Sequence, residues 1–254
     1  MTRPLIGTSW KMNLTSSEAA AWFAAAVPAL ARLDDRDLFV LPPFTAIHVA
    51  RDALCRTAIA WGAQDVHPDD AGAHTGDVSA SMLADLGCRY VEVGHSERRR
   101  DHHEGDALIA AKIAAILRHD MRPLLCVGER TPGRVADALD RVTRQLRGAL
   151  GASDAGELGR VVVAYEPVWA IGVGAMAAPL DHIQAMHAGI HGWLAARDAS
   201  STPVLYGGSV DATNAGPIAE LDGVDGLFVG RAALDPETFI RIASIELEGG
   251  RERD

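Results

Sequence analysis

The chain has 254 residues, a length that suits one large α/β domain better than two independent domains. Hydrophobic residues make up 48% of it and charged residues 23%, a composition that supports a sizeable core and excludes global disorder. With 24 Lys and Arg against 34 Asp and Glu, the formal net charge of −10 disfavours nucleic acid and anionic membrane surfaces as partners.

Short apolar runs rich in β-forming residues alternate along the chain with segments of helical periodicity. Unbroken apolar stretches such as Val161–Ala164 are typical of strands that are buried on both faces of a parallel sheet. In chain order, the eight predicted strands are Leu5–Trp10, Asp37–Leu41, Ala58–Gln64, Arg89–Val93, Pro123–Val127, Arg160–Tyr165, Val204–Tyr206 and Gly226–Val229.

One-sided apolar stripes predict helices in three of the intervening segments. An open doubly wound sheet would share this alternation, but the GxGxxG motif that usually follows its first strand is missing from this sequence. We therefore predict a closed (β/α)8 barrel formed as a single domain by residues 1–245, with 246–254 as a charged, frayed tail. The stripes are Ile109, Ile113, Ile116 and Leu117, then Val135, Ala138, Leu139, Val142 and Leu146, and finally Ile183, Met186, Ile190 and Leu194.

The cysteines Cys55, Cys88 and Cys126 form neither a CxxC pair nor a cluster spaced with histidines. This pattern argues against a disulfide framework and a structural zinc site, and it fits reduced thiols in a cytosol. The amino-terminal MTRPLIGTSWKMN lacks the uninterrupted apolar stretch of an export signal. We expect a cytoplasmic protein with no membrane span, no metal and no organic cofactor.

In a barrel of this kind the active site gathers where strands end and their following loops begin. Brought to one rim, these loops would supply a cation, an imidazole, a carboxylate and two glycine-rich turns. The segments that follow the first, fourth, sixth and last two predicted strands are SWKMN at 9–13, GHSERR at 94–99, EPVWAIG at 166–172, YGGSV at 206–210 and GR at 230–231.

The motifs WKMN, VGHSERR, AYEPVWAIG and YGGSV, in this order, resemble the triosephosphate isomerase family across essentially the whole chain. The resemblance implies a TIM barrel and an aldose–ketose isomerase without a cofactor. Such an enzyme moves a proton between adjacent carbons of a short sugar phosphate through an enediolate, as in the interconversion of glyceraldehyde 3-phosphate and dihydroxyacetone phosphate.

The resemblance also implies roles for four side chains. Glu166 would be the base, although a structural ion pair fits its position equally well without the resemblance. His95 would be a neutral electrophile, and Lys11 would hold the phosphate and stabilise the enediolate. Glu97 resembles the acidic partner near both, while a salt bridge with one of the two following arginines stays open as an alternative.

Phosphate binding and lid closure are implied in the same way. Gly172, Ser209 and Gly230 match the phosphate-cradle positions of the family, and we expect Ser9 and Arg231 to take part in substrate binding beside them. A closed lid would exclude water from the enediolate. The segment that resembles the lid consists of Pro167, Val168, Trp169, Ala170, Ile171, Gly172, Val173 and Gly174.

The loop around HTGD at 74–77 resembles the third loop of the family, which reaches into a neighbouring subunit. The resemblance therefore implies a homodimer in which Thr75 braces the lysine of the neighbouring site. From the sequence alone, a loop that covers its own barrel stays open as an alternative.

Several residues depart from the family pattern. Ser9 stands where the family has Asn, Val173 and Ala175 replace Thr and Lys in the lid, and Arg231 replaces a glycine. These departures resemble a branch that isomerises a four-carbon ketose phosphate such as L-erythrulose 1-phosphate, so the substrate has three or four carbons. Two other interpretations stay open: an aldolase or lyase that forms a Schiff base on Lys11, and a non-catalytic sugar-phosphate binder.

Overall fold

The computed structural model describes residues 3–172 and 177–245. Eight parallel strands pair in sequence order, and the last pairs with the first, so the sheet closes into a barrel. This confirms the predicted (β/α)8 TIM barrel, with several strands slightly shorter than expected. The strands are β1 (Leu5–Ser9), β2 (Asp37–Leu41), β3 (Ala60–Ala63), β4 (Tyr90–Val93), β5 (Arg122–Val127), β6 (Val162–Tyr165), β7 (Val204–Tyr206) and β8 (Gly226–Val229).

Helices lie between the strands, and the three predicted apolar stripes fall in the helices Asp106–Arg118, Val135–Leu150 and Leu180–Ala195, with most of their residues buried. Residues 246–254, predicted as a tail, and the lid residues Val173 and Gly174 lie outside the described residues. The helices are α1 (Ser16–Leu30), α2 (Ile47–Leu54), α3 (Ala80–Asp85), α4 (Ser96–Asp101), α5 (Asp106–Arg118), α6 (Val135–Leu150), α7 (Ala155–Leu158), α8 (Leu180–Ala195), α9 (Ala215–Ala219) and α10 (Pro236–Ala243).

Local sequence explains where the outer helices begin. Thr15 and Glu18 form a reciprocal capping box at the start of α1. Asp235 accepts a hydrogen bond from the backbone N–H of Thr238, and Pro236 occupies the first turn of α10. These caps satisfy N–H groups that have no partner within the helix.

Alternate residues of each strand form two separate apolar layers. One layer packs between the strands and the helices, and the other fills the inside of the barrel. Within the barrel, the Phe39 ring stacks 4.7 Å from the Tyr90 ring and 5.8 Å from the Phe228 ring. Because the interior is filled, access to the inward-facing side chains is confined to the ends of the barrel.

The inward-facing set turns polar at the carboxyl ends of the strands. Side chains alternate along a strand, so Ser9 shares the face of Leu5, and Glu92 shares the face of Tyr90. By the same alternation, Glu166 continues the face of Ala164 just beyond β6.

None of the helices described in 3–172 and 177–245 is long and apolar enough to cross a membrane.

Candidate active site

Residues that follow β1, β4 and β6 meet at the carboxyl end of the barrel. His95 Nε2 lies 3.5 Å from Glu166 Oε2, and Lys11 Nζ donates a hydrogen bond of 2.8 Å to Glu97 Oε1. Glu97 Oε2 lies 3.6 Å from His95 Nδ1. The four side chains that we singled out as catalytic are therefore brought together.

Lys11 occupies a strained position immediately beyond the end of β1. Its φ of 54° lies in the left-handed region, which is costly for a residue with a side chain. Burial by itself would lower the pKa of Lys11, but the hydrogen bond that it donates to Glu97 and the nearby carboxylate charges raise it above its usual value. The ammonium group thus remains charged in a half-buried position, where a fixed cation can stabilise negative charge.

The helix that follows His95 fixes the tautomer of its neutral imidazole. It caps α4, with Nδ1 accepting a hydrogen bond of 3.1 Å from the backbone N–H of Glu97. Because Nδ1 uses its lone pair in this bond, the ring proton resides on Nε2, the atom facing Glu166. Burial and the charge of Lys11 lower the pKa of His95 to about 4, so the ring is an uncharged donor at neutral pH.

The alternative in which Glu97 forms a salt bridge with one of the two arginines that follow it is wrong. Arg98 binds the carboxylate of Asp65 at 2.7 Å, and Arg99 binds that of Asp106 at 2.6 Å. Glu97 faces the other way, toward the lysine at the end of β1. Burial alone would raise the pKa of Glu97, but the hydrogen bond from that lysine lowers it, and the carboxylate stays ionised.

Glu166 is a buried carboxyl at the mouth of the barrel, with only 4% of its surface exposed. Its backbone N–H donates to the carbonyl of Val127 at 2.8 Å, which extends the ladder of β5 and β6 by one bond. Its Oε2 has no hydrogen-bond partner among the described residues. Burial, followed by the negative charge of Glu92, holds the pKa of Glu166 well above its usual value.

Glu166 fits in its position because two neighbouring residues are glycines, which have no side chain to overlap it. A Cβ on Gly128 would lie 1.7 Å from the carbonyl oxygen of Glu166. A Cβ on Gly207, directly after β7, would lie 2.8 Å from Cγ of Glu166 and 3.1 Å from its Oε1. Position in the sequence marked Gly207 only as part of a turn, whereas the structure shows that its lack of a side chain accommodates Glu166.

The described part of the predicted lid begins with a short 3-10 turn from Val168 to Ala170, between Pro167 and Ile171. The indole N–H of Trp169 donates to Glu129 Oε1 at 2.7 Å. Glu129 is a buried residue that our sequence analysis missed, although a lone acidic residue just beyond the apolar β5 was a usable signal.

The residues predicted to form the phosphate cradle follow the last three strands. Ser209 Oγ, beyond β7, donates to the carbonyl of Ala170 at 2.7 Å, which ties this loop to the predicted lid. Gly172 has a φ of 131°, a conformation that favours glycine. Gly230 directly follows β8, and Arg231 is exposed at the start of the next 3-10 turn.

A family model described as triosephosphate isomerase matches residues 4–246. Triosephosphate isomerase of Roseiflexus sp. strain RS-1 is 47% identical over 247 residues, covering 95% of this chain and 97% of that protein. The chain belongs to the triosephosphate isomerase family. The enzyme of Mycobacterium tuberculosis strain H37Rv is 46% identical over 256 residues, with 97% and 98% covered. The crystal structure of triosephosphate isomerase from Bartonella henselae superposes with a TM-score of 0.84 at 35% identity, covering 95% and 98% of the two chains.

Membership of the triosephosphate isomerase family makes this chain an aldose–ketose isomerase. Beside the expected side chains lies one more carboxyl that the sequence analysis missed. Glu92, fully buried on β4, accepts a hydrogen bond of 2.7 Å from Ser9 Oγ and one of 3.6 Å from Cys126 Sγ. Burial raises the pKa of Glu92 to about 7. An acidic residue inside an otherwise apolar strand was the available signal.

Proposed function

We propose that the chain interconverts glyceraldehyde 3-phosphate and dihydroxyacetone phosphate, with Glu166, His95 and Lys11 as catalytic residues. The observation that carries the proposal is the 3.5 Å approach of the buried Glu166 Oε2, which forms no hydrogen bond among the described residues, to Nε2 of a neutral His95. A base and a hydrogen-bond donor at this separation can act on adjacent atoms of one small substrate.

In this mechanism Glu166 removes a proton from the carbon next to the substrate carbonyl. Negative charge then develops on the carbonyl oxygen, where the Nε2–H of His95 and the ammonium of Lys11 stabilise it. Glu166 returns the proton to the neighbouring carbon. Its raised pKa suits this exchange, because a more basic carboxylate accepts a proton from carbon more readily. Glu97 holds the lysine through the 2.8 Å bond.

The substrate phosphate is proposed to bind at the loops that carry Gly172, Ser209 and Gly230, under the lid formed by residues 167–174. The bond from Ser209 to the carbonyl of Ala170 supports this assignment, because it couples the phosphate loop to the lid. Backbone N–H groups at glycine-containing turns can approach a phosphate dianion closely. Lid closure would keep water from the enediolate.

Replacement of the base tests this function. We expect Glu166→Gln to lower kcat on glyceraldehyde 3-phosphate by about 100- to 10,000-fold in a coupled assay, because general base catalysis is lost. The matched control is Glu237→Gln, which makes the same change on the exposed side of α10 and should leave kcat unchanged. Undiminished turnover in folded Glu166→Gln would contradict the assignment.

A four-carbon ketose phosphate such as L-erythrulose 1-phosphate is a second candidate substrate. This candidate rests on the departure of Ser9 from the family pattern: the hydroxyl proton of Ser9 is donated to Glu92, so its oxygen is left as an acceptor for a further substrate hydroxyl. The exposed Arg231 adds a cation near the same rim. Comparison of kcat/KM on both substrates is the test, and Ser9→Asn with Arg231→Gly should shift the ratio toward three carbons by tenfold or more. An unchanged ratio would remove both residues as selectors.

A homodimer in the cytoplasm completes the proposal. Thr75 lies in an exposed loop, and large apolar side chains are exposed at Met12, Phe44 and Met82. Such side chains are typical of a protein interface. Free cysteines in the described residues fit a reducing compartment. Sedimentation velocity should give twice the monomer mass, and Thr75→Arg should lower it. A monomeric wild-type protein would contradict the dimer.

A further inference from the structure

Two carboxyl groups lie on either side of β5 inside the mouth of the barrel. Glu92 ends the inward face of β4, and Glu166 continues the inward face of β6. Cys126 on β5 lies between them: its thiol donates to Glu92 Oε1 at 3.6 Å and is close enough to Glu166 to lower the pKa of that carboxyl. Both carboxyls are almost completely removed from solvent.

The hydrogen bonds of Glu92 turn it away from direct contact with a substrate. Ser9 Oγ occupies one carboxylate oxygen at 2.7 Å, and the Cys126 thiol occupies the other. Burial holds the pKa of this thiol well above its usual value, so it stays a hydrogen donor. Glu92 can therefore act on the reaction only through its charge and its neighbours.

Around Glu92 and Glu166, negative charge exceeds positive charge. The negative charges of three carboxyls, Glu97, Glu166 and Glu92, all raise the pKa of Lys11. Two buried carboxyls with so little cationic compensation compete for one proton, and ionisation of one makes ionisation of the other less favourable. The charged and titratable groups that act on the pair are Lys11 beyond β1, Glu97 on α4 and Cys126 on β5, and His95 lies 3.5 Å from Glu166. Arg99 acts on Cys126, and Arg100 acts on His95.

We propose that Glu92 is a positioning residue whose negative charge, held in place by Ser9 and Cys126, sets the basicity of Glu166. The proposal rests on the proposed role of Glu166 as the base. The proton itself moves only between substrate carbon and Glu166, and Glu92 forms and breaks no bond. A negative neighbour stabilises protonated Glu166, the form that exists after proton abstraction, and so favours that step.

The pH dependence of kcat/KM tests this proposal. Glu92→Gln keeps the shape of the side chain but removes its charge, so the acidic limb of the profile should move to lower pH by about one unit. At the plateau, kcat should fall by about threefold because the base is weaker. Glu92→Leu places an apolar residue in an otherwise apolar strand and should give the same shift. It serves as the second variant if Glu92→Gln fails to fold. Glu237→Gln is the exposed control and should leave the profile in place.

An acidic limb that stays in place, or moves to higher pH, in folded variants would overturn the proposal, even if kcat falls. That result would leave Glu92 as a structural residue only. Failure of the proposed function looks different: wild-type protein would be inactive on the sugar phosphates, or Glu166→Gln would remain active. The two failures are therefore separable in the same set of assays.

Discussion

Substitution of Gly207 by alanine tests how tightly the structure fixes Glu166, the proposed base. The new Cβ would lie 2.8 Å from Cγ of Glu166, whereas ordinary contacts begin at 3.4 Å, so the side chain must move by about 0.6 Å. Displacement of a catalytic group by 1 Å can cost about 100-fold, so we expect kcat to fall by about 10- to 100-fold. Steady-state assays on glyceraldehyde 3-phosphate measure this loss, and urea denaturation checks that the barrel still folds.

The matched control for this substitution is Gly192→Ala. Gly192 lies exposed in α8, and a Cβ there meets nothing within 4 Å. The same chemical change should leave kcat unaltered and stabilise the helix by about 0.5–1 kcal/mol. Wild-type kcat in a folded Gly207→Ala protein would refute the argument that this glycine positions Glu166.

Three further predictions concern the lid, a buried ion cluster and acid stability. Trp169→Phe removes the 2.7 Å bond to Glu129, so we expect kcat/KM to fall by about three- to tenfold with little change in the free energy of unfolding, and an unchanged kcat/KM would contradict this role of the bond. Lys112→Met removes the buried ammonium shared by Asp65 and Glu104, which keep their ion pairs with Arg98, and should lower the free energy of unfolding by about 3 kcal/mol in urea, whereas a change below about 1 kcal/mol would contradict the account. Burial lowers the pKa of His187 to about 3, so between pH 6.5 and 3 only the unfolded chain gains a proton there and stability falls as the pH falls. His187→Gln should reduce that loss by about 1 kcal/mol between pH 6.5 and 5.5, and equal losses in both proteins would refute it.

The barrel could be predicted because its determinants are local in the sequence. Each strand is a short apolar run, and the stripes that begin at Ile109, Val135 and Ile183 place helices between strands. The exact strand ends could not be predicted, because pairing with neighbours decides them. Ala58–Gln64 was expected as a strand, but β3 spans only Ala60–Ala63, where partners on β2 and β4 exist.

The site was predicted only where motifs mark it. Lys11, His95 and Glu166 stand in motifs, but the left-handed φ of Lys11 depends on the packing around it. The role of Gly207 also depends on tertiary structure, since its neighbour Glu166 lies on another strand end. Glu92 shows the opposite case, because one charge inside an apolar strand was visible in the sequence and only its contacts were not.

Hydrogen exchange between solvent and substrate tests the proton transfer most directly. In deuterium oxide, wild-type protein given dihydroxyacetone phosphate should place deuterium on carbon as the sugar isomerises, as followed by proton NMR. Glu166→Gln should lose this exchange by the same factor as its turnover, because one carboxylate performs both steps. Binding of the sugar phosphate without deuterium on carbon, or undiminished exchange in Glu166→Gln, would contradict the account.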